Sequence, residues 1–227
     1  FINIVVFDFE YSQTPGNNPN PVCCTFKELK SGKQETHWYL GETPDWPYDN
    51  SNTLWICHNA VAEVSCMLEL GLERPDFVWD TMIQDMKLQR GIENRFNLLA
   101  CCERFGIETI TEAQKNMFRD MIIDNYPNYS KEQQHKIKEY NVSDVIENEK
   151  LFLGQVALFG KRQPVFKTTL SQAIFHGAAQ AVIARIERNG IPLNYELYDD
   201  MEKYFPQIKA QEIEELKKVA DIYVGDK

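Results

Sequence analysis

The chain begins with an apolar stretch. Over residues 1–11 Ile, Val and Phe alternate with other residues and then crowd together, a pattern that predicts a buried strand. Residues 12–21 hold three prolines and Gly16 and predict a loop. Two further strand-like runs, 22–29 and 34–40, flank Lys30-Ser31-Gly32-Lys33, which reads as a hairpin turn. Residues 43–52, rich in Pro, Asp and Asn, predict a second loop, and Thr53–Cys57 a fourth strand. Helical spacing starts at Asn59, a good cap residue, and runs to Gly71, a plausible stop. Beyond Pro75 the pattern is helical, with apolar residues three and four apart over 80–90, 97–105, 111–124 and 131–159. Residues 160–169 read as a connector. Two more helices, near 170–189 and 194–218, are separated by Asn189-Gly190-Ile191-Pro192. Strands first, then a strand–helix alternation, then helices: this order predicts an α/β fold, a mixed sheet flanked by helices, with a helical extension at the C-terminal end.

Three groups of polar residues stand out along this pattern. Asp8 and Glu10 sit two apart on the first strand and therefore share a face, while Phe7 and Phe9 turn to the other layer. Two adjacent carboxylates at the end of an apolar strand repel each other unless a cation such as Mg²⁺ or Mn²⁺ sits between them. Taken alone, an Asp-x-Glu triplet is also common on solvated edges. Glu63 lies one turn into the helix that Asn59 would cap, and a first-turn carboxylate is favoured by the helix dipole whatever else it does. Tyr140 and Asp144, four apart, share a helix face, as many surface pairs do.

Composition narrows the partners. With 227 residues and 43% hydrophobic content there is enough for one sizeable core and an appendage. The net charge of −10 argues against a tight, independent grip on nucleic acid, although bound divalent ions would reverse the local field. No apolar run approaches the length of a membrane span, so no membrane partner is expected. The apolar N-terminus lacks the basic start and cleavage site of a signal peptide. Its first residue, Phe1 in place of Met, suggests a fragment or a processed product. Cys23, Cys24, Cys57, Cys66, Cys101 and Cys102 form no CxxC pattern and predict reduced, buried thiols in a cytoplasmic protein.

The order of the three groups is far more specific than any one of them. Asp8-Phe9-Glu10 on the first strand, Asn59 to Glu63 after a later strand, and Tyr140 to Asp144 about eighty residues on resemble the three motifs of the DEDD 3′→5′ exonuclease superfamily. Tyr140, rather than a histidine at position 139, places the resemblance in the tyrosine branch; His135 is nine residues ahead of Asp144. Ala184-Arg185-Ile186-Glu187-Arg188-Asn189-Gly190-Ile191-Pro192-Leu193-Asn194 is similar to the segment that joins exonuclease to polymerase in family A (polymerase I-like) DNA polymerases of bacteria and phages. Arg95 to Ala100 and Phe105-Gly106-Ile107 are similar to the helix after the second motif.

The resemblance implies a ribonuclease H-like (DnaQ-like) fold, an exonuclease domain over residues 1–160 and a helical connector over 161–227. It implies metal-dependent release of nucleoside 5′-monophosphates from a single-stranded or frayed 3′ end of DNA, as proofreading for a polymerase domain. Two ions, Mg²⁺ or Mn²⁺, would be held by Asp8, Glu10, Glu63 and Asp144, one of them by Asp8, Glu10 and Asp144. Tyr140 would orient the attacking water, since an ordinary pKa of about 10 makes it a poor base. Asn59 would contact the terminal nucleotide, unless it is simply a cap. The sequence departs from the superfamily at Glu63, where Asp is usual, and at Ala62, where Phe or Tyr is usual. These departures keep a catalytically inactive scaffold open beside a ribonuclease D-like RNA exonuclease.

Overall fold

The computed structural model describes residues 1–39, 48–160 and 169–219. Two compact units divide the chain, Phe1–Arg188 and Asn189–Lys227. The first contains a five-stranded sheet in the order β3-β2-β1-β4-β5. Its strands are β1 (Asn3–Ser12), β2 (Asn20–Glu28), β3 (Gln34–Trp38), β4 (Thr53–Cys57) and β5 (Phe77–Asp80). β1 pairs antiparallel with β2 and parallel with β4. This is a ribonuclease H-like mixed sheet. The helices are α1 (Ala60–Glu69), α2 (Thr81–Gln89), α3 (Leu98–Arg104), α4 (Glu112–Asn125), α5 (Lys131–Gly160) and α6 (Leu170–Asn189).

The alternation of β1 assigns its two faces. Val5, Phe7 and Phe9 share a core with Val64 and Met67 of α1 and with Ala181 and Ala184 of α6. Val6 points to the other side, among Ile56, Trp79 and Val145 and Phe152 of α5. Asp8 and Glu10 continue the Val6 face and so project toward α5. Burying a side chain the size of Phe7 or Trp55 stabilises by roughly 1.5–3 kcal/mol, and slipping β1 by one residue would exchange these faces and lose that burial.

β5 is the element that the pattern of apolar residues did not announce. Four residues, Phe77-Val78-Trp79-Asp80, are too few to show a period, and three of them are fully or nearly buried. They pair in parallel with β4, from Leu54 opposite Phe77 to Cys57 opposite Asp80. The remaining elements lie within a few residues of expectation. Residue 40 of the third strand-like run, part of the second loop and connector residues 161–168 lie outside the described residues. All six cysteines are buried and free. Among the described residues no helix is long and apolar enough to cross a membrane. The second unit contains α7 (Tyr195–Val219), a charged helix with no buried residue and Pro206 within it. The turn before it carries Gly190 at φ +63°, a left-handed conformation that glycine adopts without strain.

Candidate active site

The site forms where β1 outruns its parallel neighbour. Pairing of β1 with β4 ends at Val6 opposite Ile56, so on that edge β1 from Phe7 onward meets the start of α1, while its other edge stays paired with β2 as far as Ser12. There the Phe9 N–H donates to Glu63 Oε2 at 2.7 Å. Helix α5 crosses the opposite face. Its Asn141 Nδ2 donates to Asp8 Oδ2 at 2.7 Å and to the Asp8 carbonyl at 3.0 Å, fixing α5 against β1. One turn on, Asp144 joins Asp8 and Glu10, and carboxylate oxygens of these three lie within 4.8 Å of one another.

Glu63 is 4% and Asp144 6% exposed, and Asp8 and Glu10 are half-buried. Burial, with mutual repulsion behind it, holds Asp8, Glu10 and Glu63 well above the usual carboxylate range. Burial raises Asp144 too, against the pull of Lys115. Tyr140 stacks on Phe118, ring centroids 4.6 Å apart, and hydrogen-bonds Asp144. Burial and then the charge of Glu10 push its hydroxyl far up, so it stays protonated at neutral pH and cannot serve as a base there.

All five residues open onto one cavity of about 810 Å³. Met82, Met86, Phe96 and Leu99 give it an apolar wall, and α4 contributes Lys115, Asn116 and Arg119. Asn59 also faces it, and here the sequence expectation needs correction. Asn59 adopts a left-handed conformation (φ 69°, ψ 71°) and makes no side-chain cap to α1. Its backbone N–H and that of Ala60 instead donate to the Asp80 carboxylate at 3.2 and 2.8 Å. Asp80 also caps α2 through Met82 and Ile83. Asn59 is thereby left free of the capping role.

The structure thus brings Asp8, Glu10 and Asp144 into one set and places Glu63, Tyr140 and Asn59 around the same cavity. Glu63 stands outside the three-carboxylate set, with one oxygen engaged by Phe9. His135 is on the surface beside Glu139. His58, next to Asn59, is a buried strut between Thr81 and the Phe96 carbonyl, with its pKa lowered to about 4 by burial.

Sequence reasoning missed Asn141 and Lys115. Lys115 Nζ donates to Asp144 Oδ1 and Oδ2 at 2.9 and 3.1 Å and lies 3.8 Å from Glu147. Its signal was weak: Lys115 and Arg119, like charges four apart, are unfavourable on an isolated helix.

No protein-family profile and no curated protein matches this chain. Solved structures do. One described as the apo form of a nuclease superposes with a TM-score of 0.61 at 16% identity, covering 82% of this chain and 85% of that one. NrnC of Brucella melitensis with bound Mg²⁺ gives 0.59 at 17% identity, over 83% and 87%. RNase D of Escherichia coli, an exoribonuclease involved in structured RNA processing, gives 0.52 at 14% identity, covering 81% of this chain but 45% of that one. The fold is that of these nucleases.

Proposed function

We propose that this chain is a metal-dependent 3′→5′ exonuclease acting on DNA. The observation that carries the reading is the convergence of Asp8, Glu10 and Asp144 within 4.8 Å, on a nuclease fold, with Glu63 and Tyr140 on the same cavity. Hard divalent cations take oxygen ligands of this kind. The residues fit such an ion. Their carboxylates are crowded and raised in pKa, and among the described residues the ammonium beside them, that of Lys115, already binds Asp144. Beside them Asn141 Oδ1 is buried with no hydrogen-bond partner among the described residues.

Asp8, Glu10 and Asp144 would hold one divalent ion, Mg²⁺ or Mn²⁺, and Asp8 with Glu63 a second. When bound, such ions polarise the phosphate and lower the pKa of water. The protein's own residues do the rest. Tyr140, kept protonated and braced by Phe118, orients the attacking water through its hydroxyl. Asn141 holds Asp8 in place. The apolar wall of Met82, Met86, Phe96 and Leu99 receives the terminal base, and Asn59 its sugar or base edge. That arrangement favours a single-stranded or frayed 3′ end, because the base must leave its stack.

The segment Glu187 to Pro192 supports a place in a family A polymerase, with the C-terminal helices leading to a polymerase domain and the exonuclease proofreading for it. RNA is the second reading, favoured by the fold shared with RNase D and with NrnC, which has been solved bound to pGG. The test is cleavage of a 3′-overhang duplex with and without EDTA, followed by matched DNA and RNA oligonucleotides. EDTA-sensitive release of deoxynucleoside monophosphates is expected. Preference for the RNA strand would overturn the DNA assignment, and no release from either would overturn the enzyme.

A further inference from the structure

Lys115 is a buried cation whose partner has another use. Its side chain is 13% exposed, and Asp144, which binds it through both oxygens, is 9% exposed at its side chain. A buried ammonium is costly unless paired, so the pair is favourable in the protein alone. Yet the oxygens of Asp144 also belong to the three-carboxylate set. An ammonium and a divalent ion repel one another and compete for those oxygens.

The geometry around Lys115 is built, not incidental. A capping box between Thr111 and Gln114 fixes the start of α4 one turn before it. Phe118, three residues on, stacks on Tyr140, and Ile122 is 2% exposed in the core under α4. These anchors aim Lys115 over the cluster, with Nζ 5.7 Å from the centre of the Tyr140 ring. Asn116 and Arg119 extend the same wall along the cavity. The chain as a whole carries a net charge of −10, so cations converging on its acidic cavity call for a ligand that is itself negative.

We propose that Lys115 is a catalytic residue that binds a non-bridging oxygen of the scissile phosphate once divalent ions occupy the carboxylates. The inference rests on the exonuclease reading above. A lysine is a compact charge on a flexible stem, able to turn from Asp144 to a phosphate in the same cavity. In the hydrolysis, a bond forms from the water oxygen to phosphorus and the bond from phosphorus to the 3′ oxygen breaks. The water gives up a proton to solvent, and the 3′ oxygen takes one to leave as a hydroxyl. Lys115 keeps its protons and offsets the charge gathering on the phosphoryl oxygens, the role in which fixed cations act most strongly.

Three measurements on Lys115→Met separate this role from that of a clamp on Asp144. Turnover on a 3′-overhang DNA should fall by about 10²–10³-fold, the range for losing one such stabilising group. Mn²⁺ affinity by calorimetry should hold or rise, because a competing cation has gone. Affinity for dTMP in Ca²⁺ should drop about ten- to a hundredfold, while thymidine, which has no phosphate, binds as before. Lys115→Arg should recover part of the dTMP affinity. Lys115→Gln, which keeps a donor to Asp144 without the charge, carries the same test if the Met variant does not fold. Wild-type turnover in the neutral variants, or loss of Mn²⁺ affinity in step with turnover, would overturn the proposal and leave Lys115 a clamp. A wild-type protein that neither cleaves DNA nor binds dTMP in Ca²⁺ would sink the exonuclease reading, and this inference with it.

Discussion

Asp80 and the pair Asp8 and Glu10 have opposite surroundings. Asp80, fully buried, accepts N–H groups from Asn59, Ala60, Met82 and Ile83. Its charge is answered by the fold: it ties the start of α1 to the start of α2. Asp8 and Glu10 face each other and Asp144, with Asn141 and Lys115 as the polar groups that answer them. Burial raises all of these carboxyls, and at Asp80 the backbone N–H groups of Ala60, Ile83, Asn59 and Met82 work against that rise. The difference separates an acid held by backbone donors at two helix starts from acids that chiefly face one another.

That contrast can be broken experimentally, and the largest effect is expected at Asp8. Asp8→Ala should lower metal-dependent cleavage by at least about 10³-fold, the scale of several kcal/mol of lost charge stabilisation. The fold should survive, and the melting temperature of the metal-free protein should hold or rise as one repelling carboxylate is removed. Normal turnover in this variant would dissolve the site.

Tyr140→Phe comes next. Loss of its hydroxyl should reduce turnover by about one to three orders of magnitude through positioning, with Mn²⁺ affinity nearly unchanged. A large loss of Mn²⁺ binding would instead make Tyr140 part of the ion site.

Mn²⁺ itself should discriminate the two acids. At a hundredfold excess over its Kd, an ion that binds only the native state stabilises it by about 2.7 kcal/mol. Thermal melts should show that gain in wild type and lose it in Asp8→Ala. Asp80→Ala should show the reverse: about 2 kcal/mol less stable, since two helix starts lose their acceptor, but still stabilised by Mn²⁺. An Asp80 variant blind to Mn²⁺ would erase the distinction.

The smallest effect concerns grip. With few cations to replace counterions, the chain should bind single-stranded DNA poorly in EDTA and better in Ca²⁺, as fluorescence anisotropy with 3′-labelled and internally labelled oligonucleotides would report. Metal-independent binding tighter than about 10⁻⁶ M at physiological salt would reveal a basic surface elsewhere.

What the sequence by itself determined is what lies in local order. The period-2 pattern of β1 put Asp8 and Glu10 on one face opposite Phe7 and Phe9, because side chains on a strand must alternate. The spacing of four put Tyr140 and Asp144 on one face of α5. Turn chemistry marked Gly71 and Gly190, and the helices of the first unit emerged within a few residues of their predicted ends. What only the tertiary structure decided is which distant groups answer one another. Asp80, eleven residues after Glu69 at the end of α1 and last in an unannounced four-residue strand, displaced Asn59 as the acceptor at the start of α1. Asn141 took hold of Asp8 across 133 residues, and Lys115 reached Asp144 across 29. No periodicity encodes such pairings. They arise because a buried charge must find a partner wherever the packing of sheet and helices brings one, and that packing is a property of the whole core.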